Sequence, residues 1–138
     1  EAVCDGDAAG KARAAAVLKL LARKYDAFRT AIAAAGGIAP LVALARDGDA
    51  LGKANAASAL GHLARDNGAN QTAIAAAGGI APLVALARRR DAHSKEAAVV
   101  ALRRLAGYGT HTANQAAITA AQRAQQISRG RHRSCLVS

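Results

Sequence analysis

Two glycine-and-lysine strings are the first candidates for chemistry: GDAAGKA at residues 6–12 and GDALGKA at residues 48–54. A phosphate-binding loop needs four residues between its glycines and a Ser or Thr after its lysine, so that backbone N–H groups cradle the phosphates and a hydroxyl meets the metal. Here three residues intervene, and the lysine is followed by Ala12 or Ala54. Both strings read instead as the N-capped start of a helix. The four histidines, His62, His93, His111 and His132, stand apart, and none has a second His or Cys at a metal-ligand spacing. Forty-two residues before and after His62 stand Leu20 and Arg104. A ligand is not exchanged for Leu and Arg, so His62 is expected at a surface or groove position. No Ser, Cys or His constellation supports a nucleophile. The expectation is a chain without catalytic residue, metal or cofactor.

The cysteines, Cys4 and Cys135, lie near opposite ends and make neither a disulfide framework nor a zinc spacing. A reducing, cytoplasmic compartment is the default. Cys135 is followed by Leu136, Val137 and Ser138, the Cys-aliphatic-aliphatic-X arrangement that prenyl transferases read, with a final Ser pointing to farnesyl. Arg129, Arg131 and Arg133 lie just upstream. One lipid chain holds a protein marginally, and a basic patch supplies the second attraction, to anionic lipid. Lipidation at Cys135 and a membrane surface as a docking partner of the tail are therefore expectations. The competing reading is a chance match of four residues.

The elements that position these residues follow from an internal repeat. AIAAAGGIAPLVALAR occupies residues 31–46 and recurs letter for letter at 73–88, a period of 42. A weaker third start, NQAAI at 114–118, echoes NQTAI at 70–74 with an offset of 44. With 41 alanines, one Phe, two Tyr and no Trp, the chain favours helix throughout. A period in the forties in such a chain predicts stacked helical repeats. Each unit divides into a short helix ended by a glycine pair, a second short helix with proline in its first turn, and a longer third helix. The third helices are expected at about 8–23, 50–65 and 92–107, with aspartates at 47–49 and Asp91 as N-caps. In the middle one Ala54, Ala57, Leu60, Leu63 and Ala64 share a stripe.

AIAAAGGIAPLVAL followed by AASALGHLA, with AAAVLKLLA and AVVALRRLA in the other copies, resembles the armadillo repeat. HEAT repeats are the close alternative, but the three-helix unit with its glycine corner favours armadillo. The resemblance covers about residues 5–107 and implies an all-α, right-handed α-solenoid. The division expected is a partial repeat at 1–23, repeats at 24–65 and 66–107, a partial capping unit at 108–128, and a basic disordered tail at 129–138. Gln122 and Arg123 replace the glycine pair in the capping unit, so one longer helix is expected there. Glu1 at the start and the absence of Met suggest a fragment or processed product of a longer array.

The resemblance also implies that the third helices line a concave groove for an extended peptide or partner protein, with no catalysis. The groove-lining candidates are Arg13, Lys19, Arg23, Asn55, Ser58, His62, Arg65, Arg103 and Arg104. In nuclear-import members of the family a Trp, and an Asn four residues later, hold a basic peptide. Here those places carry Ala16 and Leu20, Ser58 and His62, Val100 and Arg104. A basic nuclear-localisation peptide is expected to be repelled and an acidic protein segment attracted. The net charge is +10, and residues 97–138 carry six arginines and no acid. Charge of this size also raises nucleic acid as the alternative partner. Against it stands the shortage of aromatic stacking platforms, with only Tyr25, Phe28 and Tyr108 present. The arginines at 88–90 are expected in a solvated loop.

Overall fold

The computed structural model describes residues 8–107 and 112–137, with the side chains of residues 114–127 in the last segment. Eight helices occupy these residues: α1 Ala8–Lys24, α2 Asp26–Ala34, α3 Ile38–Asp47, α4 Ala50–Ala64, α5 Gly68–Ala76, α6 Ile80–Ala87, α7 Ala92–Ala106 and α8 Thr112–Val137. The described residues contain no strand. The starts of α1, α4 and α7 keep the repeat period of 42. These three third helices stack, α1 on α4 and α4 on α7, while α3 packs on α4 and α6 on α7. The architecture is an α-solenoid.

Each corner is made by the glycine pair. Gly36 and Gly78 have φ of +84° and +83°, left-handed values that glycine adopts at no steric cost. The next amides, of Gly37 and Gly79, then donate back to the carbonyls of Ile32 and Ile74, each at 2.9 Å. This is the six-to-one bond of a Schellman ending, and it satisfies a carbonyl that the finished helix leaves open. The chain departs nearly at a right angle, 86° between α2 and α3 and 89° between α5 and α6. Pro40 and Pro82 fall in the first turn of α3 and α6, where no intrahelical amide bond is lost. Asp49 accepts from the Gly52 amide at 2.8 Å and Asp91 from the Ser94 amide at 3.0 Å, so both cap the third helices as their sequence position predicts.

The core runs as one seam along the stack. Leu41, Leu60, Leu63, Ile74, Leu83 and Leu105 are fully buried, filled in by Ala15, Ala56, Ala57, Ala98 and Ala101. A buried leucine stabilises by roughly 1.5–3 kcal/mol and an alanine methyl by well under half of that, so the leucines carry the seam while the alanines let the helices approach. Gly61 marks a close approach of α4 to α7. A methyl group added there would stand 3.4 Å from the Cα of Ala101 on the next third helix.

At the C-terminal end α8 packs on α6 and α7, with Ile118 buried in the place that Ile32 and Ile74 hold in the earlier units. Lacking the glycine corner, it runs on as one helix, longer than the 112–128 stretch predicted. The backbone of residues 129–137, where the sequence suggests a disordered tail, is helical. No proline interrupts this stretch, and Gly130 is its lone glycine. Strong helix formers therefore carry the hydrogen-bond ladder onward. Among the described residues no single helix is long and apolar enough to cross a membrane.

Candidate groove on the third helices

Positions on successive third helices that share a repeat register come together in space. Between α4 and α7 lies an open depression of about 400 Å³, with α1 at its rim. It is lined by Arg23 from α1, Ser58, Gly61 and His62 from α4, and His93, Glu96, Ala97, Val100 and Arg104 from α7. Four of the predicted residues, Arg23, Ser58, His62 and Arg104, are thus brought to one place, although Arg23 and Arg104 lie far apart in the chain. Arg104 Nη1 donates to the Gly61 carbonyl at 2.9 Å and stands 3.4 Å from His62 Nδ1. The guanidinium is therefore braced across the helix pair.

Other predicted residues fall elsewhere. Arg13 and Arg103 are exposed and lie outside the depression, and Lys19 is half-buried on α1. Arg65 is exposed at the C-terminal end of α4, with Asp66 4.0 Å away. Asn55 departs from its expected role. It is 6% exposed, and its Nδ2 donates to the Ala12 carbonyl on α1 at 3.2 Å. Asn55 therefore ties two third helices together and is closed to a ligand. The register that puts Arg13 in solvent puts Asn55 under α1, because α1 has no described third helix before it. The side chains of Cys135, Arg129, Arg131 and Arg133 lie outside the described residues.

Two lining residues were not foreseen. Glu96 stands at the register of Ala12 and Ala54, both of which are buried. Glu96 is exposed and brings one carboxylate to the depression. His93 lies in the first turn of α7 and reaches the same depression. The only cue available for either was that the repeat substitutes polar residues for apolar ones in its last copy.

The electrostatics centre on His62. Its pKa is pushed down to about 4, first by burial and then by the positive charges of Arg104, Arg23, Arg29 and Arg65. Arg29 is a buried residue that sequence reasoning missed. Its Nε donates to the Ala22 carbonyl at 2.7 Å, and its other nitrogens reach the carbonyls of Arg23 and Arg65 at 3.4 and 3.5 Å. Asp26 balances it at 2.8 Å. Arg29 thus caps the C-terminal end of α1 while adding positive potential beneath the groove. Among the described residues no group of three or more His, Cys, Asp or Glu side chains could hold a metal ion.

Comparison with known proteins agrees with this architecture. Residues 26–65 match the family model described as the Armadillo/beta-catenin-like repeat. No curated protein matches the chain. A crystal structure of an engineered protein is similar over 87% of this chain, with a TM-score of 0.79 and 29% sequence identity. The match takes up 48% of that protein, so this chain spans about half its length. Residues 26–65 are thus similar to an armadillo repeat, and the recurrence of that unit 42 residues later and the stacking of three third helices extend the likeness along the chain.

Proposed function

We propose that the chain is a non-enzymatic interaction scaffold whose third helices hold an extended acidic segment of a partner protein. One observation carries the reading: Arg23 and Arg104 converge with Ser58 and His62 on one open depression, where Glu96 is the sole acid among the described residues. Two guanidiniums facing a single carboxylate leave a positive field that favours an anionic ligand and disfavours a basic one. Ser58 adds a hydroxyl and Val100 an apolar surface for the flanking residues of such a segment. The aromatic pair Tyr25 and Phe28 packs edge to face at 5.4 Å and does not line the depression, so among the described residues no stacking platform accompanies the charge.

The test is titration with a terminally blocked Glu-rich octapeptide and its Gln counterpart, followed by fluorescence anisotropy. The Glu peptide is expected to bind and the Gln peptide to bind much more weakly. Arg23→Glu with Arg104→Glu should weaken the Glu peptide by about tenfold or more, with helix content unchanged. Reversing Arg89 and Arg90 should matter less, since Arg89 already pairs with Asp91 at 3.0 Å. A greater loss from the loop pair would overturn the groove assignment. Tight binding to mixed RNA or DNA that collapses steeply with salt would favour the nucleic-acid alternative.

A further inference from the structure

His62 is placed to couple this groove to pH. Its Nδ1 lies 3.4 Å from Arg104 Nη1. A guanidinium has donors and no acceptor, so Nδ1 must be the acceptor in this contact, and the imidazole proton sits on Nε2. The ring is half-buried among charges from every side. Arg23 faces it from α1, Arg29 from α2, Arg65 from the end of its own helix, and Arg104, His93 and Glu96 from α7. The other two helices that pack on α4 add little. The charged residues of α3, Arg46 and Asp47, pair with each other at 3.0 Å, and α5 carries no charged residue.

We infer that a carboxylate of the acidic segment seats beside His62 together with a proton taken up by the imidazole, so that the groove binds such a segment more tightly as pH falls. The inference rests on the acidic-segment reading above. Without a ligand burial and then the arginines keep the ring neutral, with a pKa of about 4. An arriving carboxylate places a negative charge against the ring and offsets the arginines. A proton from solvent then adds to Nδ1. The Nδ1 contact with Arg104 is given up, while Arg104 keeps the Gly61 carbonyl at 2.9 Å. The imidazolium has donors at both nitrogens, and one of them meets the carboxylate as a charge-assisted bond. The complex holds one more proton than the free partners, which by linkage raises affinity toward lower pH. If the ligand restores the ring to a pKa of about 6, affinity gains about fourfold between pH ~7.5 and ~5.5, a range in which glutamate side chains stay mostly ionised.

The experiment follows the full chain and the Glu-rich octapeptide across that range, together with the His62 ring resonances in free and saturated protein. Wild type should bind several-fold more tightly at the acid end, and the His62 pKa should rise on saturation. His62→Gln should bind with a flat pH profile, whereas His93→Gln, on the same depression, should keep the slope. Binding that is present but independent of pH in wild type, or a His62 pKa unmoved by peptide, overturns the proton linkage and leaves the acidic groove standing. A slope that survives His62→Gln and vanishes in His93→Gln overturns the assignment to His62. Absence of binding at every pH overturns the groove reading and this inference together.

Discussion

At the scale of single residues, the polar side chains that matter most to the fold are those that close helix ends between repeats. Arg29, Asn70, Gln71 and Asn114 all sit near the start of a first helix and donate to carbonyls at the end of the third helix before it. Asn70 Nδ2 reaches the Leu63 carbonyl at 2.9 Å and the Arg29 carbonyl at 3.0 Å. Gln71 Nε2 reaches the Ala64 carbonyl at 2.8 Å, and Asn114 Nδ2 reaches that of Leu105 at 2.9 Å. Leu63 and Leu105 share a register, so the Asn70 bond recurs one repeat later even though two extra residues separate the elements there. Arg29 holds the register of Gln71 and does the same work with a charged donor. Replacing it by Met keeps the stem and removes the donors. Arg29→Met is expected to cost about 2–3 kcal/mol, the usual loss when hydrogen bonds to a charged group are removed. Urea denaturation measures this, and a midpoint equal to that of wild type would contradict the capping role.

At the scale of elements, the glycine corner separates a repeat from a simple helix. Its two glycines are needed for different reasons, and substitution should separate them. A methyl group on Gly78 meets nothing within 4 Å, so Gly78→Ala pays only for the left-handed backbone, about 1 kcal/mol. A methyl group on Gly79 would lie 2.7 Å from Ile74 Cγ2 and 3.0 Å from the Ile74 carbonyl oxygen, which is backbone and cannot swing away. Gly79→Ala is therefore expected to cost about 1–3 kcal/mol more than Gly78→Ala, as overpacking against fixed atoms does. Thermal melts of the two variants decide it, and the reverse order would refute the clash. The same logic explains α8: where Gln122 and Arg123 replace the pair, the chain has no left-handed exit and stays helical.

At the scale of the whole molecule, stability is shared along a line of neighbours. Each unit touches the next, and the energy resides in those contacts. The α1 end is the weak one. Val17 is 55% exposed on α1, whereas Ala59 and Ala101, at the same register of α4 and α7, are fully buried. Phe28 is likewise 42% exposed, while its register partner Asn70 is buried. Unfolding should begin at this end, and a calorimetric scan should be broad, with a van't Hoff enthalpy below the calorimetric one. Hydrogen exchange should be faster in α1 than in α4. A single sharp transition above about 65 °C, beyond the usual range of mesophile domains, would show that the stack behaves as one cooperative block.

The period of 42, the glycine corners, the Asp49 and Asp91 caps and the leucine stripe were all legible in the sequence. Each is set within a few residues of chain, by helix propensity, left-handed glycine geometry or the spacing of apolar side chains. The third helices accordingly lie within a residue or so of where that spacing puts them. The candidate site was legible only in part. Ser58, His62 and Arg104 could be placed on the groove-facing positions, but Asn55, read by the same register, turns inward to the Ala12 carbonyl. Arg29 has no sequence pattern that marks it as buried, since its partners are carbonyls of other helices. Glu96 is exposed at the edge of the depression although Ala12 and Ala54 at its register are buried, and a repeat register does not record that. Which side chains meet depends on the rotation and offset between successive third helices. Those are fixed by close packing such as that of Gly61 against Ala101, and so they belong to the tertiary structure alone.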